Sequence, residues 1–191
     1  NTIQMGVVKD DIDSITKLLE SGLEKADIVV TTGGVSVGDY DFVQDVIKEK
    51  LNAEVLFHGV TVKPGMHILL AKKDEKVILA LPGFAYSSTV CAILYLLPLI
   101  YNYEGANKKL PIVKARINQD FPLKMNKTIF TACNVKYENN EYSIDFEGKK
   151  QGTSAILTDM LGNPALLIQK EDSKDIKAGE LVDILLLNEL K

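Results

Sequence analysis

The sequence predicts an α/β domain followed by a small all-β domain. Three observations carry this. Short apolar runs alternate with helically spaced apolar residues through the first half, which implies a mainly parallel sheet. A polar stretch, Asn102 to Leu110 with Gly105 inside it, then interrupts the pattern. Beyond it most apolar runs are strand-like, and a small barrel or sandwich is the natural closure for them. The expected domains are residues 1–104 and 111–191.

In order, Thr2 to Val8 reads as a short strand. Acids at Asp10, Asp11 and Asp13 suit a helix start, and Ile12, Ile15, Leu18, Leu19 and Leu23 recur at helical spacing. Ile28 to Thr32 is a strand and Tyr40 to Lys50 a helix. Ala53 to Val62 is a strand, with Val55 and Phe57 inward. His67 to Ala71 and Val77 to Leu81 form a hairpin across a polar Lys72–Lys76 segment. A helix runs from about Tyr86 to Tyr101, with Pro98 expected to kink or shorten it. In the second half, Ile112–Ile117, Ile129–Lys136, Tyr142–Phe146, Ala165–Gln169 and Leu181–Leu187 are strands. Glu138 to Glu141 is a hairpin turn, and Ala155 to Leu161 is the one helix candidate of that half.

Composition narrows the function. The 191 residues are 46% apolar and 25% charged, the ordinary globular mixture. The net charge is −4. The first 104 residues hold 9 Lys against 14 Asp plus Glu, and the remainder 13 Lys plus Arg against 12 acids. No basic stripe offers a nucleic-acid surface. Cys91 and Cys133 are far apart and lack metal-type spacing, which points to a reducing compartment. His58 and His67 read as structural or rim residues. The apolar stretch Val90 to Ile100 is too short to span a bilayer, and no signal peptide is evident.

The chemistry concentrates after the second strand. Ile28-Val29-Val30 runs into Thr31-Thr32-Gly33-Gly34-Val35-Ser36-Val37-Gly38-Asp39-Tyr40-Asp41 and then into helical spacing. Strand, glycine-rich turn and helix present backbone N–H groups to an anion. The hydroxyls of Thr31, Thr32 and Ser36 add donors. Asp39 and Asp41 beside a phosphate would repel it unless a divalent cation lies between them. A plain turn with an Asp cap is the structural alternative. The stretch is neither a Walker loop nor a dinucleotide fingerprint.

The motif resembles the molybdopterin-binding domain shared by molybdopterin adenylyltransferases, molybdopterin molybdenumtransferases and gephyrin. It fits the molybdenumtransferase branch more closely. Val62-Lys63-Pro64-Gly65, Leu81-Pro82-Gly83, Gln151-Gly152-Thr153-Ser154, Asn163-Pro164-Ala165 and Ala178-Gly179-Glu180-Leu181-Val182 follow in the family's order. The resemblance implies a three-layer molybdopterin-binding domain, lacking its first strand and helix, then a C-terminal β-barrel. The chain starts at Asn1 and is expected to be a C-terminal portion of such a protein.

The implied reaction inserts molybdate into adenylylated molybdopterin with release of AMP. The implied catalytic residues are Asp41, Asp39 and Lys63. Thr32, Gly33, Gly34, Ser36, Gly38, Pro82, Gly83, Ser87 and Ser88 would hold the cofactor precursor. Asp41, Asp39 and Asp10 would hold Mg2+. Ser87 reads equally as a helix cap, and Asp10 as a helix-start acid. Phe84 and Tyr86 either flank a pterin ring or pack in the core. A homodimer, other cofactor-biosynthesis proteins as partners and a cytoplasmic location also follow from the resemblance. The alternatives are a gephyrin-like binding scaffold and an adenylyltransferase, the latter disfavoured by the β half.

Three departures stand out. Lys63-Pro64-Gly65-Met66-His67 replaces the family's Lys-Pro-Gly-Lys-Pro, and Leu81-Pro82-Gly83-Phe84-Ala85 replaces Leu-Pro-Gly-Asn-Pro. Lys127 and Ala132 stand near positions where members often carry arginine. The first two changes remove a positive or a hydrogen-bonding group that an anion would use, whereas a lysine in place of arginine keeps the charge but loses the bidentate fork.

Overall fold

The computed structural model describes residues 1–35, 42–122, 126–150 and 153–190. The chain divides into two compact units, one of Asn1–Val60 and Gly65–Ala92, the other of Thr61–Pro64 and Ile93–Lys191.

In the first unit, helix α1 (Ile12–Lys25) leads into strand β1 (Ile28–Thr32). Helix α2 (Phe42–Asp45) continues as a π-helical turn, Val46–Lys50. Strands β2 (Glu54–His58), β4 (Leu69–Lys73) and β5 (Lys76–Leu81) complete a four-stranded sheet of order β1-β5-β4-β2, whereas β3 (Val62–Lys63) lies in the second unit. The helical face is a single apolar cluster. Ile15 and Leu19 of α1 and Val43, Val46 and Ile47 of the second helix pack with Leu69, Ala71, Ile78 and Ala80 of the sheet. Leu79 and Leu81, of opposite parity on β5, are buried outside that cluster.

The α/β class is as expected, but the sheet is less parallel than the pattern implies. Within this sheet, among the described residues, only β1–β5 is a parallel pair; β4–β5 is the expected antiparallel hairpin, and β2–β4 is antiparallel as well. For the hairpin the physical reason is loop length. A two-residue turn at Asp74-Glu75, with Asp74 at φ 54°, can only reverse the chain. Thr2 to Val8, expected as a strand, is not one, and Ile3 and Val7 are 53% and 103% exposed. An extended segment becomes a strand only with a neighbour to share its backbone hydrogen bonds, and no described strand lies in register with it. The expected strand over 53–62 is broken at Gly59, whose φ of 83° ends the ladder.

The helix beginning at α3 (Ala85–Cys91) passes through a π-helical turn, Ala92–Leu96, into α4 (Leu97–Tyr103). Pro98 therefore neither shortens nor ends it. The wider turn ahead of it accommodates the ring and the missing N–H. At 19 residues, Ala85–Tyr103 is long and apolar enough to cross a bilayer, which the shorter apolar stretch alone was not. Within it, Tyr86, Ser87, Val90, Cys91 and Tyr101 are buried.

The second unit is a closed barrel. Strands β7 (Thr128–Glu138), β8 (Glu141–Asp145), β6 (Ile112–Ile117), β10 (Leu181–Leu186) and β9 (Pro164–Gln169) are neighbours in that order, and β9 pairs back onto β7. Closure leaves no open edge in the ring. Alternate residues fill it, including Ala115, Ile117, Cys133, Val135, Leu167 and Ile184. Phe121 and Phe146 stack with ring centroids 4.6 Å apart. The β7–β8 hairpin turns on Asn139 and Asn140, both at positive φ, which suits the twist of a two-residue turn. The helix expected over 155–161 is only a 3-10 turn, Leu157–Met160. Asp159 there is buried and binds backbone instead. Its carboxylate accepts from the Lys150 N–H and its carbonyl from the Lys149 ammonium, bonds that compete with helix formation.

Candidate functional site

β1 and β5 run parallel with Thr31 opposite Ala80 and Thr32 opposite Leu81. Both strands end at the same level, so the loops that follow leave side by side. Gly33, at φ 87°, donates its N–H to the Leu81 carbonyl at 2.9 Å. A Cβ placed on Gly83 would lie 3.4 Å from the Gly33 Cα. The two loops thus meet backbone against backbone, at the carboxyl ends of adjacent parallel strands. That is where open α/β sheets place ligands. Gly34, at φ 70°, is required twice over, because a Cβ there would also lie 2.5 Å from Val43 Cγ2.

The surrounding groups sort by exposure. Thr32, Gly83 and Phe84 are exposed. The Thr31 hydroxyl is buried and has no hydrogen-bond partner among the described residues. Pro82 is buried, and Ser88 is partly open. Ser87 is 3% exposed and lies inside α3, so it does not cap the helix. Phe84 holds the N-cap position without any side-chain cap bond. Tyr86 is 6% exposed and belongs to the core, whereas Phe84 is 62% exposed.

Asp10 is exposed and precedes the helix, but the cap of α1 is Asp11. The Asp11 carboxylate accepts from the Ser14 N–H at 2.8 Å, and that bond holds its pKa below the usual carboxylate range. No group of three or more His, Cys, Asp or Glu side chains suited to a metal occurs among the described residues. Ser36, Gly38, Asp39 and Asp41 lie outside the described residues. Lys63 lies in the second unit, on β3 opposite Ile129, and precedes Pro64 through a cis peptide.

Gly65 supplies a packing reason for the Lys-Pro-Gly segment that spacing did not reveal. At φ 102° it faces Cys91, whose thiol donates to the Gly65 carbonyl at 3.5 Å. Burial pushes the Cys91 thiol up to about 12, and it pushes Cys133 up to about 12 as well. Neither is a nucleophile near neutral pH.

A family model described as probable molybdopterin binding domain matches residues 1–102. This chain belongs to that family. The adjoining strand ends and glycine turns described above lie within the molybdopterin-binding domain so defined. Relatives match across the barrel as well. The molybdopterin molybdenumtransferase of Staphylococcus aureus (strain Mu50 / ATCC 700699) is 32% identical over 179 residues, 93% of this chain and 42% of that protein. The molybdopterin molybdenumtransferase of Bacillus subtilis (strain 168) is 28% identical over 188 residues, 98% of this chain and 43% of that protein. Among solved structures, the molybdopterin biosynthesis moeA protein of Pyrococcus horikoshii OT3 is similar, with a TM-score of 0.70 and 29% identity over 96% of this chain and 41% of that one. The chain spans less than half the length of these relatives.

Proposed function

We propose that this chain is the precursor-holding part of a molybdopterin molybdenumtransferase, with domains at residues 1–104 and 111–191. The substrates are adenylylated molybdopterin and molybdate, and the products are molybdenum cofactor and AMP. The observation that carries the reading is the backbone contact of Gly33 with Gly83 at the ends of two parallel strands. It leaves a surface without side chains, against which a phosphate and a flat ring can come close.

Each residue has a role in this reading. Gly33, Gly34, Ser36 and Gly38 donate to phosphate oxygens, with Thr32 beside them. Pro82, Gly83 and Ser88 bound the opposite side, and Ser87 supports them from the core. Lys63 contributes a positive charge for an oxyanion. Asp39, Asp41 and Asp10 offer hard oxygen donors, the set that suits Mg2+. Mg2+ bound there would neutralise charge at the phosphate. The protein's own contribution is positioning: it fixes the precursor and the oxyanion in register before bonds change. A cytoplasmic homodimer working with other cofactor-biosynthesis proteins accompanies this reading. The gephyrin-like scaffold and the adenylyltransferase are not favoured, because the molybdenumtransferase relatives match through the barrel as well.

Gly83→Ala tests the reading. Gly83 is not at positive φ, and its new methyl would sit at ordinary contact distance from Gly33, so the fold should survive. The methyl would occupy the surface where the ligand must lie. Molybdate-dependent AMP release should fall about tenfold or more, a loss of roughly 1.4 kcal/mol. Unchanged AMP release would reject the site.

A further inference from the structure

Phe84 is placed at a cost to the fold. It occupies the N-cap of a helix that runs on to Tyr103, where Ser, Thr, Asn or Asp would satisfy a free N–H. Phe84 makes no side-chain cap bond, and its ring is 62% exposed. The other phenylalanines are buried or half-buried, as is Tyr86 two residues on. A side chain that neither caps nor packs stands at the mouth of the glycine contact.

Its backbone is nevertheless well held. The Phe84 carbonyl accepts the Ser88 N–H at 2.8 Å, the first bond of the helix. On the other side it is bonded to Gly83, whose Cα faces Gly33. The ring therefore stands one residue, about 3.8 Å along the chain, from the proposed ligand surface, on a support that does not have to be ordered first.

We propose that the Phe84 ring stacks on the fused heteroaromatic ring of the bound precursor, and that this ring is the pterin. This rests on the molybdopterin reading above. The binding energy comes from apolar contact and π-stacking with a flat ring, and so makes no demand on charge. In this chain it stands where the sequence lacks an amide, and it makes recognition depend on the ring more than on phosphate alone.

The test measures equilibrium binding of three probes to the purified protein: a pterin monophosphate such as neopterin phosphate, AMP, and inorganic phosphate. Variants are Phe84→Ala, Phe84→Trp and Phe84→Asn, with folding checked by circular dichroism. Phe84→Ala and Phe84→Asn should weaken pterin phosphate about tenfold, in the range of base-on-aromatic stacking. Phe84→Trp should stay within about threefold, and inorganic phosphate should not change in Phe84→Ala or Phe84→Trp. Equal binding of pterin phosphate by wild type and Phe84→Ala would overturn the stacking role while leaving the functional reading standing. A loss confined to AMP would overturn the pterin assignment. Failure of wild type to bind pterin phosphate at all would remove the functional reading, and this inference with it.

Discussion

Gly65→Ala should be the most damaging single-methyl change in the first unit. A Cβ at Gly65 would lie 2.1 Å from the Cys91 sulfur, and Cys91 is fully buried. Two separate penalties follow. The φ of 102° is one that L-residues rarely adopt, which costs about 1–2 kcal/mol. The overlap forces repacking, which costs about 1–3 kcal/mol. The sum is about 2–5 kcal/mol, a large part of the stability of a small protein. Cys91→Ala alone should cost about 1–2 kcal/mol through its cavity and the lost thiol bond. In the double variant the overlap disappears and only the backbone penalty remains. A coupling of about 1–3 kcal/mol should therefore separate the double variant from the sum of the singles. The assay is urea unfolding followed by circular dichroism, since the chain has no tryptophan. With m of about 2 kcal/mol/M, Gly65→Ala should lower the midpoint by about 1–2.5 M. Additivity within about 0.5 kcal/mol would refute the steric argument and leave backbone strain alone.

Asp41→Asn should lower AMP release on the order of a hundredfold and blunt its Mg2+ dependence, with precursor binding falling less; because Asn caps a helix about as well as Asp, unchanged turnover and Mg2+ response would make Asp41 structural. In the barrel, the Asp145 carboxylate accepts from the Asn134 amide at 2.6 Å and from the Glu147 N–H at 3.1 Å, which lowers its pKa. A lowered carboxylate pKa adds stability above the unfolded value near 4, and that stability is lost as pH falls through the folded value. Wild type should therefore exceed Asp145→Ala by about 1–3 kcal/mol at pH 7, and the gap should narrow as pH falls below the unfolded value; a gap independent of pH in urea titrations would contradict this. Cys91 and Cys133 should resist iodoacetamide at pH 8 in the native protein and react readily in urea, and stoichiometric native labelling of either would be inconsistent with their burial.

The first half shows how far local signals reach. The strand–turn–helix order and the glycine turns are legible, because the turn chemistry of Thr32-Gly33-Gly34 and Pro82-Gly83 is written in adjacent residues. The β7–β8 turn is equally legible in Asn139-Asn140. By contrast, Thr2 to Val8 has strand-like residues yet forms no ladder, since pairing depends on a neighbour that periodicity cannot supply. Ala155 to Leu161 has enough apolar residues for a helix, but the Asp159 carboxylate accepts from the Lys150 N–H and its carbonyl from the Lys149 ammonium instead.

What the sequence by itself determined is the class of each half, the glycine turns and the family. Those depend on residues next to one another, where φ limits and apolar periodicity act locally. Only the tertiary structure decided that Gly65 is a packing glycine facing Cys91, 26 residues away. It also decided between Tyr86 and Phe84, sending the first into the core and leaving the second open. Contacts between distant residues are set by how whole elements pack, so burial and steric exclusion enter only once the sheet and its helices are assembled.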